Sequence, residues 1–213
     1  VAFLAAGVPG MALALAMLGV REPRRHRHGS TATSVVAVAD LGRYLRDHRG
    51  LYICHFLAFS LLTLFAYAAL AWVPAMLIRV HGLQVHEVGL QWGTLMLLFA
   101  PAGAVLGGWL SDRGLKRGDV AAPMTTAGYG ALLLLGVAMV FSMAPSLAVV
   151  FITGAVLCAL LSFPFGIAQS SLQLITPAGI RGKVSAVYFL IVNLIGYSLG
   201  PLLVGVLTQY YFK

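Results

Sequence analysis

Ser60, Thr63, Tyr67, Gln169 and Asn193 are polar side chains set deep inside long apolar runs. The chemistry open to them there is hydrogen bonding where water is scarce. Ser60, Thr63, Tyr67 and Ala71 recur at steps of three and four, so on a helix they share one face. Ser162, Gly166, Gln169 and Gln173 do the same further along. Such a stripe bonds either to a neighbouring helix or to a solute in a polar cavity, and the spacing leaves both open. Bond-making chemistry has less support: there is no HExxH motif and no pair of acids inside an apolar run. All six acids, Glu22, Asp40, Asp47, Glu87, Asp112 and Asp119, fall between apolar runs or at their ends. No enzyme, cofactor or metal site is expected.

Charge enters most sharply at Gly107 to Gly118, where an apolar run ends in Asp112, Arg113, Lys116 and Arg117. A charge at the bilayer centre costs roughly 3 kcal/mol or more, so a spanning helix must leave the membrane here. Lys116 and Arg117 then fall in a short basic loop, which is expected to be cytoplasmic. His55, near the inner end of its run, is expected to reach headgroups or a neighbouring carbonyl, with a proton relay as the alternative. His26 and His28 lie among four arginines and read as solvated linker rather than metal ligands. Cys54 and Cys158 lie inside apolar runs and are expected to be inert packing residues.

The elements that must position these groups follow from composition. With 60% hydrophobic and 9% charged residues and a mean hydropathy of +0.93, the chain has too little polar surface to cover a water-soluble globule. An all-α integral membrane protein is expected. The net charge of +8 does not indicate nucleic acid, because the bases cluster between apolar runs rather than along one face. Six spans are expected, near 1–20, 51–80, 88–111, 120–143, 147–174 and 184–210, since a spanning helix needs roughly 20 apolar residues.

Between the first two spans, 21–50 is a basic, polar linker in which Val35, Val36, Val38, Leu41 and Leu45 predict a short amphipathic helix on the membrane surface. Of fourteen Lys and Arg, all but Arg79 and Lys213 then fall on one side. That bias makes the linker and the loops at 112–119 and 176–183 cytoplasmic. Pro74, Pro164, Gly196, Gly200, Pro201 and Gly205 are assigned to helix bending and close packing, with Pro164 and Gly166 expected to break their helix. Apolar runs abut both ends, Val1 and Lys213, so the chain reads as part of something longer.

Gly108, Leu110, Asp112, Arg113, Lys116 and Arg117 resemble the signature loop of the major facilitator superfamily, whose pattern has a glycine where Leu115 stands. Tyr67 to Gly82 with Glu87 and Gly89, and Thr176 to Gly182 with Tyr188, Asn193, Gly196, Gly200 and Pro201, resemble its spinster-like branch. The resemblance implies a partial superfamily fold: the last helix of the amino-terminal half, a linker, and the first five helices of the carboxy-terminal half. The rest of the amino-terminal half and the final helix would come from the same transporter.

It further implies secondary active transport by alternating access, in a bacterial inner membrane, with or without proton coupling. The cargo would be a small amphipathic or organic solute such as a lysolipid. Carriers of organic anions or sugar acids share these features, and a non-transporting receptor or assembly subunit is the alternative of another class. On the same mapping Asp112 accepts hydrogen bonds from a helix amino terminus of the other half, Arg113 pairs with an acid there, and 120–143 is peripheral. The implied partners are the bilayer, the solute and the remainder of the transporter.

Overall fold

The computed structural model describes residues 2–19 and 38–210. Their regular structure is entirely helical: α1 (Ala2–Met17), α2 (Val38–Asp47), α3 (Arg49–His81), α4 (Val85–Lys116), α5 (Ala122–Ser142), α6 (Leu147–Ile175), α7 (Arg181–Asn193), a π-helical segment (Leu194–Leu199) and α8 (Gly200–Tyr210). Five helical runs are long and apolar enough to cross a membrane: α3, α4, α5, α6 and the continuous stretch Arg181–Tyr210.

α1, where a sixth span was expected, holds sixteen described residues. That is about 24 Å at 1.5 Å per residue, against a hydrocarbon core of roughly 30 Å. Val1 and Val20 lie outside the described residues, as do Arg21, Arg24, Arg25, Arg27, His26 and His28 of the linker. α1 is apolar all round and belongs to a separate unit from residues 35–213.

In the larger unit the chain begins with an amphipathic turn. Leu41 is buried and Tyr44 and Leu45 half-buried, while Arg43, Arg46 and Asp47 face outward. His48 is a one-residue joint to α3, whose 33 residues reach about 50 Å and so must tilt or project beyond the bilayer. α3 passes through Pro74 and stops at Gly82, whose φ of 68° is a left-handed cap with its N–H on the Leu77 carbonyl. α4 starts at a capping box, the Glu87 carboxylate accepting from the Gln84 N–H at 2.8 Å. Expected to end at Ser111, α4 instead continues to Lys116, so Asp112 and Arg113 lie on a helix rather than in a loop. The chain turns at Gly118, φ 87°.

Helices in lipid gain little from burying apolar surface against one another, so close backbone approach does the packing. A Cβ on Gly103 would strike the Ala159 backbone and one on Gly107 the Phe163 carbonyl, which sets α4 directly on α6. Gly200 does the same against Leu64 and Ala68, joining α8 to α3. α6 does not break at Pro164 or Gly166 but runs unbroken to Ile175. Proline removes only one donor, and the contacts of α4 at Ala159 and Phe163 hold the helix through the turn that leads into Pro164. The break comes instead at Leu194–Leu199. Outward-facing Leu, Val and Met are numerous, for example Leu97, Leu132, Leu135 and Ile152, as a lipid-facing surface requires.

Candidate functional site

The π-helical segment has a local cause. Pro201 has no N–H, so the carbonyl one turn earlier loses its α-helical donor. Gly196 packs under Thr63 and Gly200 against the α3 backbone, and the widened turn reconciles these contacts. The Trp72 indole donates to the Pro201 carbonyl at 3.0 Å and fixes the junction from α3. Tyr197 and Ser198 are consequently carried to the side of α3 that holds Tyr67, where the Tyr67 and Tyr197 rings meet edge-on at 5.1 Å. Tyr67, Asn193, Tyr197 and Ser198 line one open depression of about 700 Å³ together with Phe189, Leu190 and Leu194. The Asn193 amide donates to the Phe189 carbonyl at 2.8 Å, which leaves its oxygen as an acceptor. Such π segments occur frequently at functional sites.

Ser60, Thr63 and Gln169 do not join this depression. Ser60 is fully buried and its hydroxyl has no hydrogen-bond partner among the described residues. Thr63 donates to the Phe59 carbonyl at 2.7 Å beneath Gly196. Gln169 donates to the Ser185 hydroxyl on α7 at 3.0 Å while its carbonyl oxygen is buried and unpaired. These three are packed between helices, and only Tyr67 and Asn193 of the five are brought together.

His55 is packed between helices: it is 3% exposed, its Nε2 lies 3.0 Å from the Ser171 hydroxyl on α6, and its ring packs against Phe59 and Tyr188. Near it, Tyr52 shares a 3.0 Å hydrogen bond with the Thr176 hydroxyl, and Arg181 donates to the Thr176 carbonyl at 2.8 Å. Edge-on rings from Tyr44 through Tyr52 and Phe56 to Tyr188 tie α2, α3 and α7 together.

At the end of α4, Asp112, Arg113, Lys116 and Arg117 are all exposed. Neither Asp112 nor Arg113 forms an ion pair among the described residues; the Arg113 guanidinium sits 5.3 Å over the Trp109 ring. Gly114, standing one place before the expected glycine, does not turn the chain; a Cβ there would overlap Ala122 at the start of α5. Gly118 makes the turn. Around Gly108 there is open space.

The sequence profile of the Major Facilitator Superfamily matches residues 1–201. The chain belongs to the Major Facilitator Superfamily. As a member with five membrane-crossing helical runs, it is an integral multi-pass membrane protein. It is similar to the crystal structure of a bacterial homolog to the human lysosomal transporter Spinster, in an inward-facing and unoccupied conformation, at a TM-score of 0.70 and 25% identity. That match covers 99% of this chain and 44% of the other, so the chain spans less than half of the protein it resembles. No curated protein sequence matches it.

For a superfamily member, the groups that sequence reading missed are Tyr197, Ser198 and the Tyr52, Ser171 and Thr176 hydroxyls. Ser198 does carry a catalytic-looking pattern, since Gly196, Ser198 and Gly200 spell G-x-S-x-G. A nucleophile elbow needs a strand-to-helix turn and a neighbouring base. Ser198 instead lies in a helical run, and no histidine or acid lines its depression.

Proposed function

We propose that this chain contributes the cargo-contacting carboxy-terminal half of a secondary transporter that works by alternating access, and that its cargo is a small amphipathic solute, with lysolipids the first class to test. The observation that carries the reading is the open depression beside the π segment. Tyr67, Tyr197 and Ser198 make no hydrogen bond among the described residues, and they share that depression with Phe189, Leu190 and Leu194. Unbonded hydroxyls facing hydrocarbon are costly, whereas a wall of rings and leucines with a few hydroxyls and one amide suits a solute with a polar head and an apolar tail. Similarity to a homolog of a lysosomal transporter supports the same direction.

In this reading the ends bearing Asp112–Arg117 and Thr176–Lys183 are cytoplasmic, because they hold the bases. Asp112 and Arg113 engage the other half when the cytoplasmic side closes, which accounts for their exposure here. Proton coupling would draw on a carboxylate outside this chain, because Glu87 and Asp112 stand near opposite ends of α4 and Asp40 and Asp47 on α2.

The test is uptake and counterflow by the intact transporter in liposomes, with and without a pH gradient, for lysolipids and small organic anions. Saturable lysolipid flux is the expected result. Flux of a small anion alone overturns the cargo assignment, and absence of flux from well-folded protein overturns transport in favour of a receptor.

A further inference from the structure

A second cavity lies away from the depression, on a different set of helices. It is a crevice of about 350 Å³ between α4 and α5, floored by α6, within the roughly 300–1,000 Å³ of ordinary ligand sites. Leu106 and Leu110 form one wall, Tyr129 and Leu133 the other, and Phe163 the floor. Leu106, Tyr129 and Leu133 are 50%, 74% and 56% exposed, so the crevice opens sideways into the membrane rather than into the bundle.

Its charge is one-sided. Leu106, Leu110, Arg113 and Arg117 follow at steps of four, three and four, so the two arginines continue the leucine wall of the crevice. The rise from Leu106 to Arg113 is roughly 10 Å. Asp112 falls two residues after Leu110, on the opposite side of α4. Asp119 already accepts from the Ala121 N–H at 2.9 Å. Thr126 and Tyr129, on the α5 wall, carry hydroxyls with no hydrogen bond among the described residues.

We infer that this crevice binds one acyl chain of an anionic phospholipid whose headgroup is held by Arg113 and Arg117. An apolar slot that becomes hydroxylic and then cationic along its length matches a lipid in that order of parts. An apolar covering helix would leave those hydroxyls and cations unpaired. Anionic headgroups gain from each juxtamembrane base, and the chain gains from burying methylenes against Leu106, Leu110 and Phe163.

The experiment is native mass spectrometry of the intact transporter carrying this chain, released from nanodiscs of mixed phosphatidylglycerol and phosphatidylcholine. Bound phosphatidylglycerol should fall at least about fivefold when Leu106→Trp and Leu133→Trp fill the slot. Ile152→Trp, equally lipid-facing but outside the crevice, should leave it unchanged. Arg113→Gln and Arg117→Gln together should bring a preference for phosphatidylglycerol of about tenfold down to about one, since each base contributes separately. A filled variant that binds as much phosphatidylglycerol as wild type overturns the site, and so does an unchanged preference in the charge variant. A photo-cross-linking residue in place of Leu133 decides the occupant without filling the slot. Cross-links to phospholipid support the inference, and cross-links to another segment of the protein overturn it.

Discussion

Replacing Gly196 with alanine tests the cause assigned to the π-helical segment. A Cβ at Gly196 would stand 2.6 Å from Thr63 Cγ2, 3.0 Å from Thr63 Cβ and 3.2 Å from its carbonyl carbon, where ordinary contact begins near 3.4 Å. Overpacking of this kind costs about 1–3 kcal/mol. For a protein of this size that is about 3–9 °C in apparent melting temperature, taking about 3 °C per kcal/mol.

The nearest of those atoms can be removed without touching the hydrogen bond beneath it. Thr63→Ser deletes Cγ2 and keeps the hydroxyl that donates to the Phe59 carbonyl at 2.7 Å. Alone it should cost about 1 kcal/mol, as loss of one buried methyl does. Combined with Gly196→Ala it should restore at least about half of the glycine variant's loss, a coupling of about 1.5–2.5 kcal/mol once the cost of Thr63→Ser itself is counted. The remaining contacts with Cβ and the carbonyl carbon keep the rescue partial. The assay is thermal unfolding of the four proteins in one detergent, followed by tryptophan fluorescence. Strict additivity, with the double variant losing the sum of the two single losses, would refute the argument that Gly196 is required by Thr63.

Three further outcomes follow from the same geometry. Trp72→Phe keeps a ring against Gly205 but loses the 3.0 Å bond to the Pro201 carbonyl; it should lower stability by about 1 kcal/mol, read in the same melts. Tyr67→Phe, which keeps the ring against Tyr197, and Asn193→Ala should each raise the transport KM about tenfold while moving the melt by less than about 0.5 kcal/mol. Gln169→Ala, which strands the Ser185 hydroxyl, should do the reverse, costing about 1–2 kcal/mol with little change in KM. Gly82→Ala forces a side chain into φ 68° and should cost about 1–2 kcal/mol, with Gly82→Asn milder because asparagine tolerates that region.

Membership of the superfamily and the helical architecture were legible because they rest on long-range patterns. Apolar runs need no partner to declare themselves, and Gly108, Asp112, Arg113, Lys116 and Arg117 stand in one contiguous signature. What failed to appear depends on contacts between helices. Pro164 and Gly166 look like a break when α6 is read alone, yet α4 backs onto that stretch through Gly103 and Gly107 and the helix continues. Gly196 and Gly200 look like mere packing residues, yet their contacts with Thr63, Leu64 and Ala68 attend the only irregular turn within a described span. His55 shows no sign in sequence of its partner, because Ser171 lies 116 positions away.

The same distinction separates the five polar residues set deep inside the apolar runs. A hydroxyl inside a membrane helix has an inexpensive way to survive: it donates to the carbonyl one turn back, as Thr63, Thr94, Thr125 and Thr153 all do. An amide can donate to a neighbouring helix, as Gln169 does to Ser185. Residues that take these routes need no cargo and no water to account for them. Tyr67 and Tyr197 cannot take the first, because the phenol holds the hydroxyl too far from its own backbone. Ser198 could reach a carbonyl but makes no such bond, and Asn193 uses only its donor. Four groups with open hydrogen-bonding capacity thus meet on one face, next to the one place where the backbone itself departs from the α-helix. In a bilayer that combination is tolerated where the face meets a polar occupant. The face is therefore the part of this chain whose substitution should alter what is carried, while Thr63 and Gln169 should alter only how well the helices hold together.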